Sequence, residues 1–148
     1  MKYVPLQRAL NPKKEERIMR VGELFQTEDW KKEKHVPVIE CPDSVNANEV
    51  FEVKVSLGKE IEHPNTTAHH IRWVRVYFKP EGGKFAYEVG SFEFAAHGES
   101  TDGADTGPVY THHQVTCCMK ANTSGELVAA AYCNIHGLWE NSRAIKVG

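Results

Sequence analysis

The chain has 148 residues, 41% of them hydrophobic and 26% charged, which suits one domain with a core and ordinary globular usage. Its 18 Lys and Arg against 20 Asp and Glu leave a net charge of -2, so there is no general electrostatic reason to bind nucleic acid or an anionic membrane. No apolar run approaches the ~20 residues that span a bilayer, and Arg8, Lys13, Lys14, Glu15 and Glu16 interrupt the first twenty residues where a signal segment would lie, so a soluble, cytoplasmic protein is expected.

In chain order, helical spacing is confined to Asn11 through Asp29, where Ile18, Val21, Leu24 and Phe25 recur with Lys and Glu between them. Gly22 weakens the middle, so the prediction is one short helix or two helical turns. Strand signals follow. In Phe51 to Leu57 the odd positions are apolar and the even ones polar. Ile71 to Lys79 is β-branched and aromatic, with Arg72 and Arg75 interleaved. Phe85 to Phe94 changes apolar phase near Gly90 and Ser91, which predicts a bulge. Val115 to Lys120, Leu127 to Tyr132 and Ala144 to Val147 complete the set. Turn residues separate these runs at Pro42-Asp43-Ser44, Pro80 to Gly83, Gly98 to Pro108 and Asn122 to Gly125. Short strands with regular turns and almost no helix predict a β-sandwich or barrel.

Four cysteines occur, Cys41, Cys117, Cys118 and Cys133, none in a C-x-x-C pair. Cys117 and Cys118 are adjacent and point to opposite faces of a strand. Cys41, Cys117 and Cys118 read as small buried hydrophobes. Eight histidines are grouped rather than scattered. His63, His69 and His70 lie in H-P-N-T-T-A-H-H, Cys133 and His136 in C-N-I-H-G, and His35 closes a charged run. All three groups fall at strand ends or turns, where side chains converge. Imidazole with thiolate suits iron, zinc or copper and not magnesium or calcium. Five candidate donors are present, His35, His63, His69, His136 and Cys133, so a four-coordinate structural zinc remains open on spacing alone. A non-catalytic metal-binding or electron-transfer sandwich is the alternative class. A blue-copper site would want a weak axial ligand, and no methionine lies near Cys133 and His136 in sequence.

Four stretches carry a specific likeness: E-K-H-V-P-V-I-E (Glu33 to Glu40), G-K-E-I-E-H-P-N-T-T-A-H-H-I-R-W (Gly58 to Trp73), A-H-G-E-S (Ala96 to Ser100) and C-N-I-H-G-L-W-E (Cys133 to Glu140). Together they resemble the superoxide reductases, and within them the single-iron class, the neelaredoxins, related to the desulfoferrodoxin iron-binding domain. The likeness runs from about Val21 to Val147. It implies an immunoglobulin-like, all-β sandwich over residues 21–148; residues 1–20 lie outside the likeness and are read as a short N-terminal helical extension. It also implies a mononuclear iron, cycling between Fe2+ and Fe3+, with four equatorial histidines and one axial cysteine.

Matched position by position, the resemblance makes His35, His63, His69 and His136 the equatorial ligands and Cys133 the axial one. His70 matches a histidine that is not a ligand. Glu33 and Lys34 match the family's mobile pair. Glu33 would ligate the ferric iron after product leaves, and Lys34 would steer superoxide in and polarise the product. The reaction implied is one-electron reduction of superoxide to hydrogen peroxide, at the position left open by five protein ligands. The axial thiolate donates electron density, and the Ile135 and His136 amides are the expected hydrogen-bond donors to its sulfur. Lys31 and Lys32 read as a solvated run. The partners implied are superoxide and a small redox donor such as rubredoxin, and a homotetramer is the expected assembly. Two-iron relatives carry a further iron on four cysteines. No cysteine precedes Cys41, so that centre is not expected here. His97 is read as structural, His112 and His113 as exposed, and Trp73 and Trp139 as core or interface aromatics.

Overall fold

The computed structural model describes residues 17–148. Eight strands form: β1 (Val38–Glu40), β2 (Ser44–Val45), β3 (Phe51–Ser56), β4 (Ile71–Pro80), β5 (Tyr87–Glu93), β6 (Gln114–Met119), β7 (Gly125–Cys133) and β8 (Gly137–Val147). They assemble two sheets, β1-β3-β6 and β2-β8-β7-β4-β5. This is the expected immunoglobulin-like β-sandwich.

Among the described residues no helical extension is seen. Of the segment predicted helical, residues 11–16 lie outside the described residues, and residues 17–29 hold one 3-10 turn at Val21–Leu24. Its apolar residues have no core to pack on, since Ile18, Val21 and Leu24 are exposed. Without a buried face, a short helical pattern has little to stabilise it. The chain instead runs along β8, where the Gln26 amide donates to the Leu138 carbonyl and the Glu140 amide donates to the Gln26 carbonyl.

Period-two patterning explains the core. Phe51, Val53 and Val55 of β3 point inward, and so do Val74, Val76 and Phe78 of β4. On β7 the inward row is Leu127, Ala129, Ala131 and Cys133, all essentially inaccessible. Each buried aliphatic of this size contributes roughly 1.5–3 kcal/mol relative to exposure. The bulge expected near Gly90 is present: Val76 pairs with Gly90 and Tyr77 with Glu88, leaving Val89 as the extra residue.

Three further expectations needed correction. β1 and β2 carried too few residues to show a period, and β2 occupies part of a predicted turn, where it pairs parallel with the end of β8. β8 begins seven residues before the predicted strand, because Gly137 to Arg143 is held by its full ladder to β7 and not by β propensity. Cys118 is exposed, since Val115, Cys117 and Met119 take the half-buried face of β6 and Cys118 takes the other. Among the described residues no helix is long and apolar enough to cross a membrane.

Candidate metal centre

The register brings five chain segments to one end of the sandwich. Ile71 opens β4 opposite Cys133, which closes β7, and Cys133 faces Gly137 across the β7–β8 turn. Val38 of β1 stands opposite Ser56, the last residue of β3. The β3–β4 connection carrying His63 and His69, the β7–β8 turn carrying His136, and the approach to β1 carrying His35 therefore all emerge together. Two glycines make these connections possible. Gly58, at φ +76°, lies where an added Cβ would meet the His63 amide at 2.6 Å, so the loop closes on His63 only without a side chain there. Gly137, at φ +85°, turns the chain from His136 into β8.

Cys133 is fully buried because it continues the inward row of β7, so its sulfur rises out of the core into the site. The His136 amide donates to it over 3.4 Å, and His136 Nδ1 lies 3.8 Å from the sulfur. Of the two amides expected at the sulfur, that of Ile135 makes no such bond among the described residues. His136 Nδ1 is also 3.1 Å from His35 Nε2 and 3.2 Å from His69 Nε2. Donor atoms of His35, His69, His136 and Cys133 all lie within 4.8 Å of one another.

His63 stands outside that tightest group, yet the ring positions place it at the same centre. Centroid separations are 4.6 Å for His35–His136, 4.9 Å for His136–His69, 4.9 Å for His69–His63 and 4.9 Å for His63–His35. His35 and His69 are 6.3 Å apart. Four near-equal separations and one longer one set the four rings around one centre, with His35 and His69 across it from each other. Two nitrogens at neighbouring corners of an octahedron, each about 2.1 Å from a metal, stand ~3.0 Å apart. The 3.1 and 3.2 Å contacts of His136 match that spacing.

Hydrogen bonding behind the rings sets their tautomers. His63 Nδ1 lies 2.7 Å from the Pro64 carbonyl and must carry the proton, which leaves Nε2 as a bare acceptor; that atom is buried and without a partner. His35 Nδ1 lies 2.6 Å from Glu33 Oε1, which frees its Nε2 in the same way. A single proton on His136 Nδ1 could serve only one of the three acceptors around it. A cation satisfies all of them together. Burial pushes the His63 ring down to about 3 and also lowers His35 and His69, so lone pairs and not protons face the centre near neutral pH. Burial alone would raise the Glu33 carboxyl, but its bonds to the His35 ring and amide, with the positive charge of Lys34, hold it below the usual range. The residues present therefore fit a metal with a preference for N and S donors, and the count of five exceeds tetrahedral zinc.

Lys34 is half-buried, lines the groove beside His63 with Asn65 and His113, and has no ion-pair partner among the described residues. Trp139 lies against the centre from the other side. Its ring stacks on His35 at 5.1 Å and 19°, and its Nε1–H donates to the His136 carbonyl at 3.1 Å. Trp73 instead lies on the outer side of β4 against Tyr132, with the Arg75 guanidinium 4.3 Å above its ring. His70 and His97, neither read as a ligand, stack at 3.4 Å.

His113 is buried, contrary to expectation, and its ring meets His63 edge-on at 5.8 Å. The signal was available. The odd positions 115, 117 and 119 face inward, and extending that phase back by two reaches 113. His112, at an even position, is exposed as expected.

The desulfoferrodoxin family pattern matches residues 27–142. The chain belongs to the desulfoferrodoxin family. It is 65% identical over 127 residues to the neelaredoxin of Megalodesulfovibrio gigas, covering 86% of this chain and 98% of that one. The crystal structure of a Thermotoga maritima relative, 54% identical, superposes with a TM-score of 0.86 over 88% of this chain and 99% of that chain. The reduced superoxide reductase (neelaredoxin) of Archaeoglobus fulgidus, 58% identical, gives a TM-score of 0.78 over 83% and 98%. The family's shared sandwich is thus the one that brings these rings and Cys133 together.

Proposed function

We propose that this chain is a superoxide reductase, holding one iron on His35, His63, His69, His136 and Cys133. The observation that carries the reading is the ring of four imidazoles with a buried thiol at the same centre, in a chain whose 65%-identical relative is a neelaredoxin. His35, His63, His69, His136 and Cys133 would hold the metal, and a small anion would approach it from the side that these donors leave uncovered. When bound, iron supplies the single electron by cycling between Fe2+ and Fe3+.

The chain's own residues do the rest. Lys34, with no carboxylate partner among the described residues, raises the local concentration of an anionic substrate and presents an ammonium from which a proton can pass to the reduced product. Its positive field also favours the charge that develops on the oxygen atoms as the electron arrives. The His136 amide at the Cys133 sulfur tempers how strongly the thiolate donates. Glu33 fixes the His35 ring in the arrangement seen. Glu33 would also be a candidate ligand for the metal in its oxidised form. Superoxide, one electron and two protons give one hydrogen peroxide. The electron is taken from a small redox protein such as rubredoxin in the cytoplasm, and the working assembly is a homotetramer.

The test is the visible spectrum and stoichiometry of the metal-loaded protein. A blue band that appears on oxidation and bleaches on reduction, with one peroxide formed per superoxide consumed, is the expected result. A fully metallated protein that stays colourless would point to zinc and overturn the reading. A yield of half a peroxide per superoxide would assign dismutation instead.

A further inference from the structure

The turn that carries His69 is held by two residues, and one of them is the immediate neighbour of Cys133. Thr66 takes the groups of His69 itself: its hydroxyl accepts from the His69 amide at 3.0 Å and its amide donates to the His69 carbonyl at 2.9 Å. Asn134 takes the groups on either side. Its Nδ2 donates to the Ala68 carbonyl at 2.9 Å, its Oδ1 accepts from the His70 amide at 2.9 Å, and its own amide donates to the His70 carbonyl at 3.2 Å. Five successive backbone groups, from Ala68 C=O to His70 C=O, are thereby satisfied by two residues.

The carboxamide of Asn134 needs both its ends for this. A carboxylate could accept from His70 but would face the Ala68 carbonyl with a second acceptor. A hydroxyl has one short arm and cannot span from Ala68 to His70. Asn134 follows directly on Cys133, whose place is fixed by the core row of β7. The side chain therefore ties the peptide planes flanking one proposed ligand to the residue bonded to another. The two lie 64 residues apart in sequence, and no other contact described above joins the backbone of the β3–β4 connection to the β7–β8 turn at the centre.

We infer that Asn134 is a positioning residue for the metal centre, setting His69 relative to Cys133 so that metal affinity and thiolate donation depend on its carboxamide. This rests on the iron-site reading above. Partners of this kind, which orient ligands without touching the metal, typically change metal affinity about 10- to 100-fold when removed.

The test compares Asn134→Ala with the parent, each metal-free and iron-loaded. Ferrous iron is titrated out with a competing chelator, the oxidised spectrum is recorded, and thermal unfolding is followed in both states. The expected result is iron affinity at least tenfold weaker, a shifted thiolate-to-ferric band, and a smaller rise in Tm on loading than the parent shows. If Asn134→Ala does not fold, Asn134→Asp, which keeps the acceptor and loses the donor, is expected to show the same three changes. Parent-like affinity and spectrum, with equal loss of Tm in both states, would make Asn134 an ordinary staple of the fold and overturn the inference alone. A parent protein that takes up no iron would overturn the site reading itself.

Discussion

Trp139 offers a quantitative test of how the centre is held. Its indole does two separable things: its face stacks on His35, and its Nε1–H satisfies the His136 carbonyl. Trp139→Phe keeps an aromatic face but removes the donor. The lost neutral hydrogen bond costs about 1 kcal/mol, and the void left by the smaller ring costs about 1 kcal/mol more, so about 2 kcal/mol in all. Trp139→Ala removes the stacking as well, and large aromatic truncations in cores cost about 3–5 kcal/mol. Both losses fit within the roughly 5–15 kcal/mol of an ordinary domain, so both variants fold. The assay is urea unfolding of the metal-free protein near neutral pH, with unchanged m-values as the check that only stability moved. Metal-loaded unfolding then shows whether the shift of His35 and His136 carries through to binding. The reasoning is refuted if Trp139→Phe unfolds within about 0.5 kcal/mol of the parent, since the indole N–H would then contribute nothing.

Three further outcomes are expected. Lys34→Ala keeps its iron but reacts with superoxide roughly tenfold more slowly, at the low end of electrostatic steering, and with a flatter salt dependence; a parent-like, salt-sensitive rate contradicts the role. Cys133→Ser loses the thiolate-to-ferric absorption, and a surviving band would exclude Cys133 as a ligand. The metal-free protein loses stability on acidification: with His63 held at about 3 and His113 at about 4, below the ordinary ~6.5, the unfolded chain takes up these protons first. Stability is then complete above ~6.5 and falls as pH drops towards those values, at up to ~1.4 kcal/mol per pH unit for each ring. Urea midpoints across that range measure it, and His113→Gln should make the slope shallower; an identical slope would show that His113 titrates normally.

Much of this protein was written locally. The alternation of Phe51 to Leu57 announces a half-buried strand because every second side chain must leave water. The clustered histidines and Cys133 announce a soft-metal centre because few other uses gather imidazole and thiolate at strand ends. The strands that escaped reading, β1, β2 and the first half of β8, have no pattern of their own and exist because a partner's ladder is there to complete. Among the described residues the helical spacing of Ile18, Val21 and Leu24 yields only a 3-10 turn for the converse reason: those side chains have nothing to bury against. Only the tertiary structure decided that His113 lies beneath His63, that Cys118 faces outward, that Trp139 backs His35, and that Asn134 grips the peptides around His69. Those are contacts across long separations in sequence, set by sheet register and loop closure. Residue type and spacing nominated the metal's ligands. Their mutual geometry came from where β3, β4, β7 and β8 end, which no single segment specifies.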